Sequence, residues 1–254
     1  MPTPCHLYQD LSRYYDQFCQ DIPYAQQAQT LYRIAQIFNN TDSTPSSTHY
    51  LDIACGTGQL MAHTQAFGWH LTGLDNAASM LDQAALRCPN ARWLLSDMAN
   101  IPADPQYTLA SCLLYSMHYN SSVQQLEAFF RALWNALKPG GFCLFDCVDK
   151  RGIDNTAGLT TYYQNGSQHF AFNSRWVYPG QGNQQTLNLS IELTENGQHY
   201  SWQDEHPMVA VSIAELEALL TQQGFTLTLF ERNFEQLIAW QGSSFNLLVV
   251  AQKA

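Results

Sequence analysis

Positive charge is scarce in this chain. Its 254 residues carry 11 lysines and arginines against 21 aspartates and glutamates, for a net charge of −10. A protein that tracks phosphates needs a basic stripe, and so few cations leave little to build even a local patch, so no nucleic-acid partner is expected. Long apolar runs are also missing. No stretch reaches the 18 or more apolar residues of a membrane helix, which argues against a membrane partner. Met1 to Asp10 shows neither a basic nor an apolar signal-peptide region, so the expected location is cytoplasmic.

The seven cysteines are odd in number and scattered, with no CxxC pair, and the eight histidines show no HxxxH spacing. No metal site is expected. Cys143 and Cys147 lie four apart in an apolar run and read as buried strand thiols. What the chain does have is apolar mass: 46% hydrophobic with 13% charged residues, the composition of a globular protein with a large core.

Periodicity divides the chain. Residues 5–38 read as helical, with Tyr24, Ala28, Leu31, Ala35 and Phe38 on one face and a helix start at Asp21-Ile-Pro23. A polar linker follows over 39–48. Strands are then expected at 49–54, 69–74, 91–95, 107–115 and 142–148, alternating with helices at 59–67, 77–88 and 123–137, and with a turn at Lys138-Pro-Gly-Gly141. That rhythm predicts an α/β, doubly wound parallel sheet. After Lys150 the period changes to two. Strands are expected at 169–178, 186–195 and 198–206, with hairpin turns at 179–183 and at Glu195-Asn-Gly-Gln198. A helix at 212–223 opens on a capping box, Ser212 with Glu215, and ends at Gly224; strands at 225–231 and 244–251 close the chain. The spacing thus divides the chain into an N-terminal helical cap (1–40), a core (49–150 and 210–254) and an antiparallel β insertion (160–208).

The most specific stretch is Tyr50-Leu-Asp-Ile-Ala-Cys-Gly-Thr-Gly58, followed by Leu71-Thr-Gly-Leu-Asp75. Strand, glycine turn, helix and strand ending in an acid form a nucleoside pocket at the carboxyl ends of parallel strands. A dinucleotide turn reads GxGxxG, but here Met61 replaces the third glycine, and Asp52 would repel a pyrophosphate. Both features disfavour a dehydrogenase. Asp52 suits a cationic group, Gly56 and Gly58 admit close backbone approach, and Asp75 can accept hydrogen bonds from a ribose. A zwitterionic tail joined through a cationic centre to a ribose matches S-adenosylmethionine.

Asp52-x-Ala-Cys-Gly-Thr-Gly58, Gly73-Leu-Asp75, Ser96-Asp97-Met98 and Leu137-Lys-Pro-Gly-Gly-Phe142 together resemble the motifs of class I S-adenosylmethionine-dependent methyltransferases. The resemblance implies a Rossmann-like seven-stranded sheet ordered 3-2-1-4-5-7-6. It also assigns cofactor contacts to Asp52, Ala54, Gly56, Gly58, Asp75, Asn76, Asp97, Met98, Leu114 and Tyr115. Met80 would pack near the adenosine, or else be a helix-core residue. Tyr24 and Arg33 are candidates for the methionyl carboxylate, although Arg33 also reads as a solvated helix charge. More narrowly, Tyr15-Asp16, Tyr24 and the insertion resemble bacterial small-molecule enzymes such as the TDP-aminosugar N,N-dimethyltransferases.

Methyl transfer is an in-line displacement that needs alignment and exclusion of water. His118 is the candidate base, and the resemblance to the aminosugar enzymes implies Tyr15 and Tyr119 as acceptor-site tyrosines; the alternatives are a loop histidine and a helix-packing aromatic. Ser116 and the insertion's aromatic stripe, Phe170, Phe172, Trp176 and Tyr178, are candidates to line a substrate pocket, or the stripe covers the domain or pairs with a second subunit as a homodimer. Trp202, Asp204, Glu205 and His206 come from the insertion's last strand, where acids suit an amine but are ordinarily solvated. The expected activity is methyl transfer to a small-molecule acceptor, at an amine or a hydroxyl or carboxylate. The alternatives are an RNA or protein methyltransferase and a non-catalytic cofactor-binding scaffold.

Overall fold

Apolar side chains two apart on each strand decide how this chain layers. The computed structural model describes residues 15–38, 47–103 and 106–254. Residues 5–14 of the expected first helix and 39–46 of the expected linker lie outside the described residues.

Strands β1 (His49–Ile53), β2 (His70–Asp75), β3 (Arg92–Leu95), β4 (Tyr107–Cys112) and β5 (Leu137–Val148) pair in parallel. The chain's last two strands, β10 (Phe225–Glu231) and β11 (Asn246–Lys253), join antiparallel. The order is β3-β2-β1-β4-β5-β11-β10, the expected 3-2-1-4-5-7-6 arrangement. Its reversal between β1 and β4 is the switch point where an α/β sheet opens a crevice.

On one sheet face Leu51, Ile53, Cys112, Cys143, Cys147 and Val249 pack under α5 (Val123–Ala136) and α6 (Ile213–Gln223). On the other, Tyr50, Leu109, Leu144 and Leu248 pack under α2 (Tyr24–Phe38), α3 (Gln59–Thr64) and α4 (Ala78–Arg87). Fully buried Phe129 and Phe130 of α5 each contribute on the order of 2–3 kcal/mol. The Ser212–Glu215 capping box and the left-handed Gly224 bound α6 as their spacing predicts.

The helix start expected at Asp21-Ile-Pro23 is met: a short α1 (Tyr15–Phe18) ends in a turn, and α2 begins just after Pro23. Three other expectations change. Lys138–Gly141 is no isolated turn but a bulge within β5: Tyr107 faces Leu137 and Leu109 faces Phe142, so two steps on one strand span five on the other. Gly141 is needed there, since a Cβ would meet the Lys138 carbonyl at 2.9 Å. β4 stops at Cys112 rather than 115, because Leu114 and Tyr115 are left-handed (φ 58° and 60°), and residues 116–119 coil into a 3-10 turn. The buried Asp146 carboxylate accepts the Tyr115 N–H at 2.7 Å, which offsets a backbone cost of about 1–2 kcal/mol per residue.

The insertion is a separate sheet of four strands, not three: β6 (Leu159–Asn165), β7 (Gln168–Val177), β8 (Gln184–Glu195) and β9 (Gln198–Val209). β6 escaped notice because it is an exposed edge strand without a one-sided apolar alternation. Asn196 and Gly197 both have positive φ, as a two-residue hairpin loop requires.

Candidate active site

The glycine turn leaves β1 with three left-handed residues, Ala54, Gly56 and Gly58. Gly58 starts α3 and packs against α4, where a Cβ would lie 3.1 Å from that of Ala84. Gly56 turns its N–H to Asp75 Oδ2 at 2.8 Å, while Ala77 N–H donates to Asp75 Oδ1 at 2.9 Å. Asp75 thus joins the turns after β1 and β2. Burial raises its pKa.

Asp52 lies deeper. Its Oδ1 accepts the Ser111 hydroxyl at 2.6 Å, and Ser111 Oγ is 2.6 Å from Tyr50 Oη. Burial pushes the Asp52 carboxyl up to about 7, against the lowering effect of those hydroxyls.

Two cavities meet above these strand ends. A small one, of about 40 Å³, is lined by Tyr24, Gln27, Asp52 and Leu114 among others. A larger cleft, of about 850 Å³, runs past Asp75, Asn76, Met80 and Met98 to Tyr119, Glu205 and His206. Tyr15, Ala54, Gly56 and Ser116 line both, so they mark the junction. At the far end of the cleft Tyr119 Oη lies 2.6 Å from His206 Nδ1, and His206 Nε2 lies 3.7 Å from Asp204 Oδ2.

The family described as "Methyltransferase domain" matches residues 51–141. A putative methyltransferase, YqeM of Bacillus subtilis, is 25% identical over 87% of each chain. The dTDP-3-amino-3,4,6-trideoxy-alpha-D-glucopyranose N,N-dimethyltransferase of Streptomyces venezuelae is 26% identical over 74% of this chain and 79% of its own. In fold the chain is similar to the SAM-bound amino pentose methyltransferase CalS10 of Micromonospora echinaspora, with a TM-score of 0.77 at 18% identity, covering 96% of this chain and 97% of that one. The matched domain, the sheet order and these relatives together support a class I S-adenosylmethionine-dependent methyltransferase.

The small cavity suits the charged amino-acid end of that cofactor on an observation of its own. Both polar atoms of the Gln27 side chain are buried, with no hydrogen-bond partner among the described residues, in the cavity that Asp52 also lines. Buried amides are ordinarily paired, so an orphan facing a cavity points to a ligand.

Several sequence-based assignments do not survive the geometry. His118 is no base: it is 0% exposed, its Nδ1 lies 2.9 Å from the Val209 carbonyl, and its Nε2 accepts the Val148 N–H at 3.0 Å. With both ring nitrogens engaged, it buttresses the backbone, and burial lowers its pKa. Arg33 lies on the exposed face of α2 and donates to the Glu235 carbonyl, away from either cavity. Tyr115 turns away because the left-handed pair breaks strand alternation. Its ring lies under the Arg232 guanidinium at 4.7 Å and edge-on to Trp176 at 5.7 Å.

The aromatic stripe does not line the cavities. Phe170 and Phe172 pack on Phe18 of α1, Trp176 packs on Tyr115 and His118, and the Tyr178 hydroxyl donates to the Gly182 carbonyl. Each of these side chains is engaged by a neighbour within the protein, and none is among the residues that line either cavity. Asp97 is exposed beside the liners Ser96 and Met98, and its Oδ1 accepts the Ala99 N–H at 2.8 Å.

One residue of the site, Gln27, is not among the sequence-based candidates. It falls at helical spacing between Tyr24 and Leu31 on the apolar face of α2, and a lone amide on that face is its signal. His206, a candidate on the insertion's last strand, shares its period of two with Trp202 and Asp204 along β9 and lies on the inward face.

Proposed function

We propose that this methyltransferase acts on the amino nitrogen of a small molecule, with nucleotide-linked aminosugars as the first acceptor class. The observation that carries this reading is the cleft. It continues from Asp75 and Met98 to a wall built by the β insertion, and its volume falls within the roughly 300–1,000 Å³ of small-molecule sites. The relative from Streptomyces venezuelae, named for an aminosugar, matches across about three-quarters of both chains and not the core alone. The scarcity of cations speaks against an RNA acceptor.

When bound, the cofactor supplies a methyl group on a sulfonium. In the proposed arrangement Gln27 and Asp52 hold its amino-acid end, Asp75 takes the ribose hydroxyls, and Met80 and Met98 bracket the adenine. Tyr15 and Ser116, at the junction, would flank the point of transfer and keep water out.

The test is an acceptor screen with S-adenosylmethionine, reading S-adenosylhomocysteine release and product mass. Nucleotide-linked 3- or 4-aminosugars should gain one or two methyl groups. Methylation confined to carboxylates, hydroxyls, transfer RNA or protein would overturn the reading.

A further inference from the structure

We propose that Asp204, His206 and Tyr119 form a proton relay at the acceptor end of the cleft, with Tyr119 contacting the amine and His206 receiving its proton. The inference rests on the N-methylation reading above.

The relay is built by strand alternation. Directly opposed residues of antiparallel strands share a face. Leu187 opposes His206 and Leu189 opposes Asp204, so both polar residues project from the same face as the leucines that pack toward α1. Asp204 and His206 are buried, and Tyr119 is half-buried where it lines the cleft. The order from cavity to interior is therefore tyrosine, histidine, aspartate.

The geometry also selects a tautomer. An unprotonated Nε2 facing a carboxylate oxygen at 3.7 Å would be repelled, so Nε2 carries the hydrogen and Nδ1 its lone pair. Tyr119 Oη then donates to Nδ1 across 2.6 Å. Burial lowers the His206 pKa against the opposing pull of Asp204, which keeps the resting imidazole neutral and able to accept.

In N-methylation the nitrogen lone pair forms the bond to the methyl carbon while the carbon–sulfur pair stays with sulfur, leaving one proton too many on nitrogen. That proton passes to Tyr119 Oη as the phenol's own proton moves to His206 Nδ1. The imidazolium formed there is stabilised by Asp204. No oxidant or metal enters the balance.

Two measurements test the relay. Nitrogen-15 spectra of the histidine-labelled chain should show His206 as the neutral Nε2–H tautomer, with its Nδ1 signal shifting in Tyr119→Phe. An Nδ1–H tautomer, or no shift, overturns the relay whatever the acceptor proves to be. On a nucleotide-linked aminosugar that the unaltered enzyme methylates, His206→Gln and Tyr119→Phe should each lower kcat about 100-fold or more, with KM for S-adenosylmethionine within about threefold. A kcat within threefold of the unaltered enzyme in both variants overturns it. If the unaltered enzyme methylates no aminosugar, the proposed function fails and the tautomer measurement decides the relay alone.

Discussion

The Thr57 hydroxyl of the glycine turn donates to the Asp16 carboxylate of α1, with Oγ1 2.5 Å from Oδ1. Arg87 of α4 pairs with the other Asp16 oxygen, also at 2.5 Å, and reaches the Thr57 carbonyl. On its opposite side α1 stacks Phe18 on Phe172, with ring centres 5.1 Å apart. A four-residue helix is thereby held between the cofactor turn and the β insertion, with Tyr15 at the junction of the two cavities.

Asp16→Ala should weaken S-adenosylmethionine binding roughly fivefold, since a hydrogen bond of this kind contributes about 1 kcal/mol. The ion pair adds little, because both side chains are 27% exposed. Titration calorimetry checks this, and an unchanged Kd would mean that the hydrophobic seat of Phe18 alone holds α1.

Gln27→Leu should cost S-adenosylmethionine at least tenfold in affinity while leaving the cofactor-free chain as stable or more so. Both amide atoms are unpaired among the described residues, so the change removes a desolvation penalty and no hydrogen bond to them. Calorimetry and thermal melting read the two effects separately. A lower Tm together with unchanged affinity would assign Gln27 to the core instead.

Asp52 should make cofactor binding pH-dependent. Its folded pKa near 7 lies above the ~3.9 of an unfolded chain, so the cofactor-free fold holds an extra proton between those values. Its stabilising contribution is therefore full below about pH 4 and is lost as pH rises through 7. Binding of a cationic amino group favours the ionised form and runs the other way. Affinity should fall as pH drops below 7, and Asp52→Asn should flatten that slope. Binding measured from pH 5.5 to 8.5 decides it, and an unchanged slope in Asp52→Asn would assign the dependence to another group, Asp75 first.

His118→Ala should destabilise the fold by about 1–3 kcal/mol, because it orphans the buried Val148 N–H, while the Val209 carbonyl keeps the Gln185 amide as a partner. The turnover of the remaining folded enzyme should stay within threefold. Denaturant melts and kcat on folded protein distinguish this role from that of a base.

The glycine turn, Asp75 and the alternation of strands and helices were legible because their spacing is local: a left-handed turn needs its glycines, and a buried strand needs its apolar run. His118 was misread for the complementary reason. Its neighbours in the chain place it just past a strand end, but its hydrogen-bond partners are 30 and 91 positions away. The aromatic stripe was misread likewise. Its period of two correctly placed the rings on one face, yet only the position of α1 shows that Phe18 occupies that face.

By itself, then, the sequence determined the individual strands and helices, the cofactor turn and the cofactor's chemical class, since each is written in short local patterns of residue type. Only the tertiary structure decided which polar groups meet at the far end of the cleft. Tyr119 and His206 are 87 residues apart, and the insertion's sheet must first pack on the core before phenol and imidazole come within 2.6 Å. A contact that depends on the docking of two sheets has no local period by which to be read.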